Sequence, residues 1–165
     1  MILLIQCIMG CLLFTLILIP AAKNPVKYLS TYPYGVQKAV RGLPQYQNLP
    51  PAKSSRMGAV AIQGLAFIVV GVLLCLFAKI DDFIGAFVHM YIFFLVINAY
   101  DLIVIDWLLF CQKKQFRIAG TEHMDKEYKD YFYHFKVFLK GIALGLVVSL
   151  FVAIIISVIA IARAQ

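Results

Sequence analysis

Charge is what this 165-residue chain has least of: Asp, Glu, Lys and Arg together make up 14% of it, against about 25% in an ordinary globular domain. So few charges cannot cover a water-facing surface of normal size, which excludes a soluble enzyme or binding module. Acidic residues number only eight, and the segment 23–56 has none. Cysteine is also sparse. Cys7, Cys11 and Cys75 lie inside apolar runs and Cys111 ends one, so no disulfide framework is implied. Cys7 and Cys11 stand one helical turn apart and lack the spacing of a redox pair, so they read as small packing residues. Phosphate loops, paired histidine boxes, nucleophile elbows, and haem and flavin fingerprints are all missing. No cofactor is therefore expected, and no enzyme class is indicated.

The chain does have long apolar runs. Hydrophobic residues reach 63% and the mean hydropathy is +0.90. Four runs, at 2–22, 57–78, 83–111 and 137–162, match or exceed the roughly 20 residues a helix needs to cross a hydrocarbon core of ~30 Å. The expected fold is an all-α integral membrane protein, a single membrane domain over 1–165. Four transmembrane helices would form an antiparallel bundle, with polar loops at 23–56 and 112–136. The run at 2–22 is too long for a signal-peptide core and follows no basic residue. It is expected to be retained, although Pro20-Ala21-Ala22 resembles a cleavage end.

Basic residues set the expected orientation. The first loop holds six: Lys23, Lys27, Lys38, Arg41, Lys53 and Arg56. The third loop and the start of the last run supply seven: Lys113, Lys114, Arg117, Lys126, Lys129, Lys136 and Lys140. Six and seven leave only Lys79 and Arg163 for the other side. Lys and Arg near span ends mark the cytoplasmic face, so both termini are expected outside and the location is a multi-pass membrane one, the plasma membrane in a bacterial cell. This placement in loops also accounts for the +7 net charge without nucleic acid as a partner.

Within the first loop, Tyr32-Pro33-Tyr34-Gly35 opens a short segment with Val36, Ala39, Val40 and Leu43 at helical spacing. Gln37, Lys38 and Arg41 face the other way. The expectation is an amphipathic helix lying in the interface, its cations near anionic lipid head groups. A lid over a site at that end is the alternative. Tyr28, Tyr32, Tyr34 and Tyr46 suit an aromatic belt at the same depth, and Leu49-Pro50-Pro51 reads as an extended joint.

The third run carries His89, Asn98, Asp101 and Asp106. A carboxylate near the bilayer centre costs at least ~2.5–3.5 kcal/mol on insertion scales, so it normally faces protein, water or a partner charge. Asn98 and Asp101, three apart, share a helix face. The second run adds Gln63, Gly64 and Gly71. In the fourth run Gly141, Gly145, Ser149, Ala153 and Ser157 recur every fourth residue, a stripe that lets another backbone come close in lipid. Counting inward from the loop ends sets Asp106 level with Lys140, and Asp101 level with Gly145 near mid-membrane. An Asp106–Lys140 ion pair is therefore expected, and Asp101, with no evident partner, becomes the prime functional candidate together with Asn98.

Residues 121–135 read as a charged helix running straight into the last span. On it His123, Glu127, Asp130 and His134 would form one stripe, a pattern that bundle helices use for metal ligands or acid–base chemistry. Interleaved Lys126 and Lys129 fit a solvated face equally well. Tyr128, Tyr131, Phe132, Tyr133 and Phe135 suit an aromatic girdle. The functional expectation is a transport-related or accessory membrane subunit with a polar site at Asp101 and Asn98. Its partners would be membrane lipids and either further copies of the chain or a larger membrane protein. The alternative is a membrane enzyme acting on a lipid or prenyl-like substrate through His123, Glu127, Asp130 and His134.

Overall fold

Apolar runs that meet no water must close their backbone hydrogen bonds internally, and a helix does this within one segment. The computed structural model accordingly is 83% helix, with no strand among the described residues. It describes residues 1–49 and 52–164, the side chains of 52–57, 59 and 60 excepted. The expected joint at Pro50 and Pro51, and the cations Lys53 and Arg56, lie outside the described residues.

The helices are α1 (Ile2–Lys23), α2 (Tyr34–Gly42), α3 (Ala52–Phe77), α4 (Phe83–Tyr100), α5 (Asp125–Tyr128) and α6 (Tyr131–Ala164). A π-helical segment, Asp101–Phe110, prolongs α4. Three stretches are long and apolar enough to cross a bilayer: Ile2–Lys23, Phe83–Phe110 and Asp125–Ala164. In α3 the apolar part among the described residues is Ala61–Phe77.

α4 is the centre of the bundle. It runs antiparallel to α6, with Phe94 against Gly145 and Asn98 against Gly141. It also runs antiparallel to α3, where Gly71 abuts Met90 and Phe67 meets the Phe94 ring at 5.1 Å. The turn between α3 and α4 works because Lys79 adopts a left-handed φ of 57° and Asp82 caps α4, accepting from the Gly85 amide at 2.7 Å. The small-residue stripe of α6 packs as expected, with Gly145, Ser149 and Ala153 all buried. Gly71 is likewise in close contact, whereas Gly64 has open space around it.

α1 lies parallel to α4. Gln6 meets His89, Gly10 abuts Phe93 and Ile97, and Thr15 meets Tyr100. α1 and α3 touch where the Gln6 amide donates to the Leu74 carbonyl at 3.1 Å; further along they separate and leave a cleft floored by α4.

At the end where α1 and the π-helical segment finish, the two long loops fold together into a cap with its own core. Leu29, Tyr32, Val36, Val40, Phe110, Ile118 and Tyr128 are all buried there. The amphipathic helix expected at the lipid interface is present as α2. Its apolar face, however, is buried in this cap and not in lipid. The cause is Tyr128 and Phe116, which sequence reasoning assigned to a girdle or left unassigned and which instead offer α2 a protein surface. The Tyr32 hydroxyl donates to the Phe116 carbonyl at 3.0 Å. Burial, with a smaller contribution from Tyr128, pushes that hydroxyl well above its ordinary pKa, and Arg117 offsets only part of the rise. It stays a donor.

The continuous helix expected over 121–135 does not form. α5 ends at Tyr128, and α6 begins at Tyr131 because Asp130 starts it afresh, accepting from the Tyr133 amide at 2.9 Å.

Candidate functional site

The π-helical segment turns more widely than an α-helix, and such segments are frequent at functional sites. Its ladder skips one residue further, as in the Cys111 amide donating to the Asp106 carbonyl at 2.9 Å. Residues five apart thus come close to one face. Asp101 and Asp106 are five apart, and the segment turns both toward α6.

Their partners differ from expectation. Asp106 pairs with His134, Oδ2 to Nδ1 at 3.0 Å, and not with Lys140. Equal counting from the loop ends fails because α6 starts well before Lys136. The contacts of Asn98 with Gly141 and of Phe94 with Gly145 then set the register of the antiparallel pair. Asp106 consequently faces a residue about a turn and a half nearer the start of α6 than Lys140. His134 is buried, its ring edge-to-face with Phe110 at a centroid separation of 5.1 Å, and its Nε2 has no partner among the described residues.

Lys140 instead shares a cavity of about 540 Å³ with Asp101 and Asn98. Val137, Gly141 and Leu144 of α6, Phe94 and Ile97 of α4, and Phe14, Gln63 and Phe67 complete its wall. The Asn98 amide donates to the Phe138 carbonyl at 3.0 Å, which fixes its orientation, and Gly141 has no room for a Cβ against it. Neither the Asp101 carboxyl nor the Lys140 ammonium has a hydrogen-bond or ion-pair partner among the described residues. Of the four binding candidates, Asp101, Asn98 and Lys140 come together, and Asp106 lies outside with His134.

A second cavity of about 360 Å³ adjoins the first. Phe14, Gln63, Phe67 and Ile97 line both. It fills the cleft between α1 and α3, and apart from Gln63 it is walled by apolar residues including Leu13, Ile17, Ala66 and Val70. The cleft closes at the end away from the cap. There Gln6 binds the Leu74 carbonyl and accepts from His89 Nε2 at 2.6 Å.

α4 places 18 residues before Asp101, a rise of about 27 Å. Asp101 opens the π-helical part of the apolar stretch Phe83–Phe110, whose last residue, Phe110, belongs with Cys111 to the cap core.

The metal stripe is not assembled. His123 is exposed outside any helix, Glu127 lies on α5 beside Gly35, Asp130 caps α6, and His134 is turned to Asp106. Among the described residues no three His, Cys, Asp or Glu side chains are grouped to hold a metal.

Two polar elements escaped sequence reasoning. Gln6 and Thr15 bind α4; Thr15 gives its proton to the Cys11 carbonyl at 2.9 Å and so accepts from Tyr100 at 2.7 Å. A polar residue within an apolar run was the available signal. Arg117 is buried in the cap, stacked 4.0 Å over the Tyr128 ring and paired with Asp125 at 3.2 Å. Nothing in its spacing distinguished it from the other loop cations. Comparison of the chain with family models, with curated proteins and with solved structures finds no match.

Proposed function

We propose that this chain is a four-span membrane protein with both termini outside. Its role is transport-related or accessory, and its working site is the pocket of Asp101, Asn98 and Lys140. The observation that carries the reading is that Asp101 and Lys140 open onto one cavity, each without a hydrogen-bond or ion-pair partner among the described residues. Unpaired charges within an apolar span are costly, and they are kept where they meet water, cargo or a partner. The cavity adjoins an apolar cleft between α1 and α3, the two sharing Phe14, Gln63, Phe67 and Ile97, so this reading lets a cargo arrive from the bilayer as well as from the capped face.

Chain geometry supports the fourth crossing. α1 and the π-helical segment end in the same cap, while α4 starts at the opposite end, so the chain must return between them, and α3 does so. The 26 residues of α3 rise about 39 Å. Of the basic side chains among the described residues, all but Lys79 and Arg163 belong to the capped end, which supports placing it in the cytoplasm.

A reporter enzyme fused after Arg163 tests the orientation; activity only on the cytoplasmic side would overturn it. For the site, protein reconstituted into liposomes is assayed for movement of fluorescent amphiphiles between leaflets, beside Asp101→Asn. Wild-type transfer that D101N abolishes is expected of a transport role. Affinity capture of a membrane partner that D101N weakens is expected of an accessory one. Indifference of both readouts to D101N would remove Asp101 from the working site.

A further inference from the structure

Resting on that reading of the pocket, we infer that its ligand is an amphiphile from the capped-side leaflet that carries both a phosphate and a primary ammonium. The phosphate sits on Lys140, the ammonium on Asp101, and one apolar chain lies in the cleft between α1 and α3.

Charge points to this head group. The pocket presents one cation and one anion that do not reach each other as an ion pair. A purely anionic head group would satisfy Lys140 and oppose Asp101. A purely cationic one would do the reverse. A head group with both signs satisfies both, through charge-assisted hydrogen bonds. A primary ammonium suits Asp101 better than a quaternary one, because it carries N–H donors for the carboxylate.

Depth and length agree. With the slab taken to start at Asp81 and Asp82, the 18 residues of α4 before Asp101 rise about 27 Å and bring Asp101 to the far edge of a ~30 Å core, the level of lipid head groups. From there the cleft extends toward the clasp of Gln6, Leu74 and His89. Along α4, Asp101 to His89 rises about 18 Å. One leaflet fills about half of the ~30 Å core, so a single acyl chain spans this interval. The cleft walls are apolar apart from Gln63 near the pocket, and Leu13, Ile17 and Val70 at its rim are exposed to the bilayer side. A chain can therefore enter laterally without the helices parting.

The test uses the full-length protein in detergent. It is titrated with single-chain phospholipids of equal chain length bearing phosphoethanolamine, phosphocholine or phosphoglycerol, and one-to-one adducts are read by native mass spectrometry. Phosphoethanolamine is expected to bind tightest. D101N should cut its advantage over phosphoglycerol by roughly tenfold or more, and K140Q should weaken all three by a similar factor, the scale of a hydrogen bond to a charged group. A66W should remove adducts of every head group, because Ala66 lines the cleft from an exposed position where a large ring displaces a chain and no core contact. Equal affinity for the three head groups, or preference for phosphoglycerol, would overturn this ligand while leaving the pocket as the working site. Adducts that ignore D101N, K140Q and A66W alike would overturn the pocket itself. The charge variants decide the head group whether or not A66W folds.

Discussion

A methyl group added at Gly145 measures how closely α4 and α6 approach. Built on this backbone, the new Cβ falls 2.5 Å from Cδ1 of Phe94 and 3.0 Å from Cγ and Cε1. Carbon atoms in contact normally stand ~3.5–4.0 Å apart, so the helices must separate by roughly 1 Å or the ring must turn. Turning is hindered, since Phe94 is buried and packs on Phe67. Overpacking of this kind costs about 1–3 kcal/mol. Replacing a helical glycine by alanine returns roughly 0.5–1 kcal/mol of backbone entropy. G145A should therefore lose up to about 2.5 kcal/mol net. Gly64 is the internal control: nothing lies within 4 Å of its virtual Cβ, so G64A should gain up to about 0.5–1 kcal/mol. The two variants are compared by reversible unfolding in mixed micelles, followed by far-ultraviolet circular dichroism. The reasoning predicts that G64A is the more stable by about 1–3 kcal/mol. Equal stability of the two would mean that α4 and α6 do not meet at Gly145, and the register that places Lys140 beside Asp101 would fall with it.

That register has a second, independent check. In double-mutant cycles, D106A and H134A should be non-additive by about 0.5–3 kcal/mol, because they share one contact, whereas D106A and K140A should add within ~0.5 kcal/mol; the opposite pattern would restore the Asp106–Lys140 pair. Tyr128 accepts from the Ile118 amide at 2.9 Å and donates to Thr121 at 2.8 Å. Y128F should therefore destabilise the cap by about 1–3 kcal/mol and speed hydrogen exchange at 118–121 without affecting α6; unchanged exchange would show that the cap is held otherwise. Gln6→Leu removes the clasp to Leu74 and His89 at about 0.6–1.7 kcal/mol. Spin labels on α1 and α3 should then report a wider distance at that end, and an unaltered distance would exclude the clasp as what closes the cleft.

The helices themselves were readable from composition because lipid leaves the backbone few options. Runs as apolar as 2–22 and 83–111 have to be helical, and they are. The small-residue stripe of α6 was equally readable, since spacing of four maps directly onto one helix face. Asn98 and Asp101 were placed on a common face for the same reason, and they share the pocket. Helix ends were less readable. Asp130 restarts α6, and the segment after Tyr100 widens into a π-helix; each is a choice between hydrogen-bond ladders that differ little in energy. The role of α2 was misread because an amphipathic face does not declare whether lipid or protein will cover it.

By itself, then, the sequence determined that this protein has segments apolar enough to cross a bilayer, which segments are helical, and where its few charges fall along each helix. Those are properties of single segments and follow from summed hydropathy and periodicity. Only the tertiary structure decided that Asp106 belongs to His134, that Asp101 shares a cavity with Lys140, and that the two loops make a cap. Each of these depends on the axial offset between helices far apart in the chain. That offset is set where glycines let backbones touch, and counting residues inward from a loop cannot supply it.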